Sequence, residues 1–293
     1  MIRKIARPRL TALLLGIASL SVAASPVPFA GAIEDADLRG VLPLEGELFH
    51  VQGLELDRER IWVTSVDRAN RKGYLHEFDR TTGRIMRRLD LTDGVRYHPG
   101  GISMSDRSIW VPVAELKPNS SAMLVEIDAD TLQIRRKISV ADHLGCIAAL
   151  GSQLVAGSWD SKLLYVFDVS DKVAVRVVPN PSRTRYQDMK FVDGHLVAGG
   201  SLTWWSGAVD WIEWPSMKIR RTSRTGAIGP IRPFGRGGPY TGEGMAMKGR
   251  DLYVVPEDGP SRLFHFRLND QAHKPIDSFT LASVPPPSAG RPH

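Results

Sequence analysis

From His50 onward the chain alternates short apolar runs with turn-forming pairs, and the alternation repeats. Five segments started at His50, His98, His143, Arg185 and Thr241 align without gaps: HVQGLELDRERIWVTSVD, HPGGISMSDRSIWVPVAE, HLGCIAALGSQLVAGSWD, RYQDMKFVDGHLVAGGSL and TGEGMAMKGRDLYVVPED. Their fifth column is Leu54, Ile102, Ile147, Met189 and Met245; the twelfth is Ile61, Ile109, Leu154, Leu196 and Leu252; the thirteenth is Trp62, Trp110, Val155, Val197 and Tyr253. With 42% apolar residues in the chain, apolar side chains at all these positions would arise by chance with a probability on the order of 10⁻⁶, before allowing for the choice of register. Within each segment two runs flank a turn pair such as Asp57-Arg58, Gly151-Ser152 or Asp193-Gly194, which predicts a hairpin.

A third run follows each segment (YLHEFD, MLVEID, LLYVFD, VDWIEW, RLFHFR), and then a fourth (RIMRRLDL, QIRRKISV, VAVRVVP, KIRRTSR and the run Ile276–Leu281). Repeat starts are 48, 45, 42 and 56 residues apart. Four short strands at that period predict an all-β propeller of five four-stranded antiparallel blades, with an irregular sixth blade as the alternative. The segment 36–46 is expected to add a strand that closes the ring. The fourth column, Gly53, Gly101, Cys146, Asp188 and Gly244, is small almost throughout, as expected where innermost strands crowd at the axis.

In this topology the loop leading into the first strand of a blade and the loop leaving the second share one face. The first column therefore predicts a rim of His50, His98, His143, Arg185 and Thr241. Seventeen positions on stand Asp67, Glu115, Asp160, Leu202 and Asp258. Two readings of the histidines stay open. Each ring could tie its own blade together through a serine or carboxylate, or His50, His98 and His143 could converge on one divalent metal ion, with the rim carboxylates orienting the free ring nitrogens. Gln52, Gln187, Asp188, Trp204, Trp205, Arg232 and Arg236 are candidate ligand-binding residues, the last two on a long Gly- and Pro-rich segment, 223–240. Glu243 and Glu257 are candidate catalytic acids or bases.

Two stretches resemble known propellers. GSWDSKLLYVFD (157–168) resembles the end of a WD40 blade, which implies a structural network of His143, Ser158 and Asp160. FHVQGLELDRERIWVTSVDRANRKGYLHEFDRTTG (49–83) is similar to the opening of the five-bladed glutamine cyclotransferase propellers. That similarity implies five blades, but the family's catalytic glutamate falls at Val63 and its FGEG at HPGG, so the activity is not implied. The chain as a whole also looks like uncharacterised exported bacterial propeller proteins.

The ends alter the charge balance. Arg3, Lys4, Arg7 and Arg9 precede the apolar run LTALLLGIASLSVAA, and Ala30-Gly31-Ala32 offers a cleavage site, so 1–32 reads as a signal peptide. The expected organisation is then one propeller domain over 33–283 and an unstructured Pro-rich tail over 284–293. The formal charge of +6 loses those four cations, leaving 34 basic against 32 acidic residues, which gives no nucleic-acid footprint. No later apolar run reaches membrane-spanning length, and a lone Cys146 excludes an internal disulfide. P-loop, dinucleotide, HExxH, GxSxG and CxxC motifs are absent. The expectation is a secreted or periplasmic, monomeric module that binds a small polar ligand or an extracellular partner. The alternative is a hydrolase or lyase-like enzyme using a rim-bound metal.

Overall fold

The computed structural model describes residues 31–169, 174–229 and 235–269. Five sheets form, each an antiparallel blade. Blade one is β2 (His50–Leu56), β3 (Arg60–Asp67), β4 (Lys72–Asp79) and β5 (Ile85–Asp90). Blade two has a split innermost strand, β6 (His98–Pro99) and β7 (Ser103–Ser105), both paired with β8 (Ser108–Ala114), then β9 (Ala122–Asp128) and β10 (Ile134–Val140). Blade three is β11 (Leu144–Leu150), β12 (Gln153–Ser158), β13 (Leu163–Asp168) and β14 (Ala174–Pro179). Blade four is β15 (Arg185–Val192), β16 (His195–Ser201), β17 (Gly207–Glu213) and β18 (Lys218–Thr225). Blade five is β21 (Gly244–Lys248), β22 (Asp251–Val255) and β23 (Arg262–Leu268), with β1 (Ala36–Pro43) as its outer strand.

The expected closing strand is therefore β1, which runs antiparallel to β23 from Ala36 opposite Leu268 to Pro43 opposite Arg262. It takes the fourth-strand place that the sequence reading assigned to Ile276–Leu281, a run outside the described residues. The segment 1–32 read as a signal peptide lies outside them too, apart from Gly31 and Ala32, and so does the run 284–293 read as a tail. There is no sixth blade among the described residues. Between blades four and five, β19 (Ala227–Ile228) and β20 (Gly238–Pro239) make a small two-stranded pair.

Both faces of each blade are covered, and the repeat columns show how. Side chains of adjacent strand residues point to opposite faces. Ile61 accordingly packs toward blade five with Val255 and Leu263, while its neighbour Trp62 packs toward blade two with Ile109 and Val125. The division recurs around the ring: Trp110 meets Leu154 between blades two and three, Val155 meets Leu196 between three and four, and Val197 meets Leu252 between four and five. Five apolar clusters thus fill the five interfaces between blades. The fifth-column residues are all fully buried.

The fourth column crowds the axis as expected. A Cβ on Gly101 would stand 2.2 Å from the Gln187 carbonyl oxygen, across the axis, and one on Gly53 would stand 2.7 Å from the Gly100 carbonyl oxygen. No side chain fits at either place. Asp188, the largest member of this column, is fully enclosed. Its carboxylate accepts hydrogen bonds from the backbone N–H groups of Leu54 (2.8 Å), Met245 (3.0 Å) and Met189 (2.9 Å), and from Lys190 Nζ at 2.6 Å. Lys190 in turn donates to the Ile102 carbonyl. One buried ion pair thus joins blades one, two, four and five.

Candidate ligand-binding cup

One mouth of the ring opens into a cavity of about 340 Å³ lined by residues of all five blades. Its wall follows from a repeated irregularity. Register shifts interrupt the innermost strands between Val51 and Gly53, Leu144 and Cys146, and Tyr186 and Asp188. The extra residue in each case, Gln52, Gly145 or Gln187, lies on the cavity wall. A β-bulge bends its strand and re-aims a side chain, so the third column supplies the mouth while the fourth closes the axis beneath it. Glu243 occupies the same column in blade five and also lines the cavity.

The predicted rim forms in part. His50, His98, His143 and Arg185 all line the cavity. Thr241 does not; it is buried behind the wall and donates to the Gly200 carbonyl at 3.0 Å. The three histidines then differ. His50 Nδ1 lies 2.7 Å from Glu257 Oε2, whose other oxygen accepts from Arg236 Nε at 2.9 Å. Gln52 Nε2 is 2.9 Å from His50 Nε2, 3.0 Å from Glu243 Oε2 and 2.8 Å from the Val51 carbonyl. A chain of contacts therefore runs Arg236–Glu257–His50–Gln52–Glu243. Burial pushes the Glu257 carboxyl up, but His50 and Arg236 together outweigh it and hold it below the usual range. Glu257 is thus an ionised partner rather than a proton donor.

His143 turns the other way. Its Nδ1 sits 2.7 Å from the Glu115 carbonyl oxygen and 3.2 Å from that of Lys117. A carbonyl can only accept, so Nδ1 carries the proton and Nε2 the lone pair. Trp159 meets this ring edge-on at 4.4 Å, and the His98 ring lies 5.7 Å away. Burial, reinforced by His143, His50 and Arg68, pushes the His98 ring down to about 3, so it is neutral at physiological pH. His98 Nδ1 is buried with no hydrogen-bond partner.

None of the three rings bonds the serine or carboxylate of its own blade. Ser65 shares a 2.8 Å hydrogen bond with His76, and Ser158 contacts Asp160 without His143, so the network implied by the WD40 resemblance is only half formed. Nor does the three-histidine centre assemble. The group whose ligand atoms lie within 4.8 Å of one another is His50, Glu243 and Glu257. Of the four carboxylates predicted near the histidines only Asp160 lines the cavity, tied to Lys162. Asp67 holds Asn70, Glu115 holds Ser121 and Lys117, and Asp258 holds Arg262.

Among the other candidates, Gln187, Trp204 and Arg236 line the cavity, Asp188 belongs to the axis, and Arg232 lies outside the described residues. Trp205 is half exposed off the wall. Arg68 and Trp159 are wall residues that the repeat did not single out. Trp159 stands one place before the aligned carboxylate of its blade, at the offset of Ser201 and Glu257, and Arg68 one place after, at the offset of Leu116 and Thr203. These residues all line the cavity, but the residue type changes from blade to blade. Cys146 is buried with its thiol pushed up to about 12 by burial, which makes it unreactive. No helix among the described residues is long and apolar enough to cross a membrane.

Residues 46–195 match a family of unknown function, DUF6454. The chain belongs to that family. No curated protein matches it. Among solved structures, a hypothetical protein from Leishmania major is similar at a TM-score of 0.54 and 10% identity, over 80% of this chain and 90% of that one. The Pan2 WD40 domain of Neurospora crassa is similar at a TM-score of 0.46 and 9% identity, over 80% and 96% of the two chains. At such identities the likeness concerns the fold alone, which for this DUF6454 member is a five-bladed propeller.

Proposed function

We propose that this propeller is an exported binding module that holds a small polar ligand in the cup. The observation that supports it is the cup itself: a 340 Å³ concavity at one mouth, walled by polar side chains from every blade above an axis packed shut. That volume lies at the small end of the range for ligand sites, about 300–1,000 Å³. Export rests on the basic, apolar and small-residue order of 1–32. Thermal-shift titration against a panel of sugars, amino acids and small organic acids tests the binding. A ligand of the cup raises Tm in the wild type, and Gln187→Ala reduces the rise. N-terminal sequencing of protein from the extracytoplasmic fraction tests export, and a start near Ile33 is the expected result.

A second reading, a metal-dependent enzyme, is favoured by one observation. The Gln52 amide nitrogen has two hydrogens but three acceptors within 3.0 Å: His50 Nε2, Glu243 Oε2 and the Val51 carbonyl. Acceptors converging on one point suit a divalent ion, and Glu257 on His50 Nδ1 would orient the ring for it. Elemental analysis after dialysis separates the readings: a stoichiometric divalent ion that disappears in His50→Ala supports the enzyme. The similarity to glutamine cyclotransferases does not extend to their activity, because Val63 is a buried aliphatic side chain with no proton to transfer.

A further inference from the structure

The cup is polarised, and its inventory selects a chemical class of ligand. Every carboxylate on its wall is engaged: Glu257 by His50 and Arg236, Glu243 by Gln52, Asp160 by Lys162. Two guanidinium groups on the same wall, Arg68 and Arg185, have no carboxylate partner among the described residues. Arg68 lies close enough to His98 to help keep that ring neutral. His98 and His143 are uncharged between the two arginines, and Asp160, the one carboxylate on the wall from blades one to four, is already tied to Lys162. A guanidinium presents a planar fork of donors matched to a carboxylate.

The remaining wall asks for two more features. Trp159 and Trp204 keep 42% and 63% of their surface exposed at the mouth, where an indole face can cover an apolar C–H surface. Glu243, Glu257 and His143 Nε2 present acceptors, and those call for hydroxyl donors. A simple carboxylic acid lacks the hydroxyls, a neutral sugar lacks the anion, and an amino acid places an ammonium next to its carboxylate and so beside the two arginines.

We infer that the cup binds an acidic sugar, a hexuronate or the uronate end of a short oligosaccharide, with its carboxylate on Arg68 and Arg185, its ring against Trp204 and its hydroxyls on the glutamates. This rests on the reading of the cup as a small-ligand site and adds the ligand class to it.

Isothermal titration with D-galacturonate, D-glucuronate and digalacturonate, set against D-glucose and glutarate, tests the inference. At least one uronate is expected to bind at one site per chain and at least tenfold more tightly than glucose or glutarate. Arg185→Ala and Arg68→Ala should each weaken the uronate at least fivefold. Trp204→Ala, at an exposed position, should weaken it without lowering Tm. Binding of neutral sugars or amino acids in preference to uronates, or uronate binding indifferent to both arginine changes, overturns the acidic-sugar assignment and leaves the small-ligand reading standing. A flat response to all these probes and to the wider panel overturns both.

Discussion

Two sides of the same mouth carry histidines from the same column of the same repeat, and they use them differently. Between blades five and one, His50 is one link in a chain of charges and amides from Arg236 to Glu243. Across blades two and three, His98 and His143 pack beside Trp159, hold to carbonyls or to nothing, and carry no charge. The repeat places an imidazole at each position; the neighbouring blade decides its role. Blade five brings Glu257 to His50, whereas blade two brings only a loop carbonyl to His143. Burial without a counter-charge drives a histidine to its neutral form, as it does His98.

The comparison assumes a common floor, and removing it should produce the largest effect. Asp188→Ala strips the acceptor from three backbone N–H groups and leaves Lys190 buried without its partner. Losing one member of a buried pair costs about 3–5 kcal/mol, and urea denaturation should show a loss of that size. A loss under about 1 kcal/mol would mean that the axis is not held by this carboxylate.

The two sides should then respond unequally to the same substitution. His143→Ala leaves the Glu115 carbonyl without its donor and removes the ring beneath Trp159, for an expected cost of about 1–3 kcal/mol. His50→Ala leaves Glu257 still held by Arg236, so a cost below about 1 kcal/mol is expected. Equal losses in chemical denaturation would break the comparison.

Acid should reach the sides in order. His98 is depressed to about 3, so between that value and the unfolded value near 6.5 the unfolded chain binds the proton and the folded one does not. Stability contributed by the neutral ring is complete above about pH 6.5 and is lost on acidification below it, by up to about 1.4 kcal/mol per pH unit. Glu257 is depressed below the usual carboxylate range; its contribution is complete above that range and is lost only as pH falls through the folded value. His76, buried in β4 and depressed to about 4, adds a slope of the same sign as His98. Tm measured between pH 7 and 5 should therefore fall less steeply in His98→Gln than in the wild type.

Much of the fold is legible because it is local. The twelfth and thirteenth columns are apolar in every blade because adjacent residues of a doubly covered strand face two different interfaces, and that demand is written at period two. Small residues of the fourth column record the crowding at the axis for the same reason. The site is less legible. Gln52, Gln187 and Glu243 could be named as facing the channel, but the bulges that present Gln52 and Gln187 are visible only as pairing shifts. Arg68 and Trp159 sit at offsets that recur on the wall, level with Leu116 and Thr203 and with Ser201 and Glu257, but the residue type changes at each blade, so no shared chemistry marks them.

What the sequence by itself determined is thus the blade: its four strands, its two buried faces, its glycines at the axis and the residue types at its mouth. Each of these follows from steric and burial demands between neighbours a few residues apart. Only the tertiary structure decided what those mouth residues do, that Glu257 rather than Asp67 meets His50, that His143 takes a carbonyl, and that Asp188 belongs to the axis. These are contacts between blades, across separations such as the 207 residues from His50 to Glu257. They depend on loop paths and ring closure, and no periodic pattern encodes those.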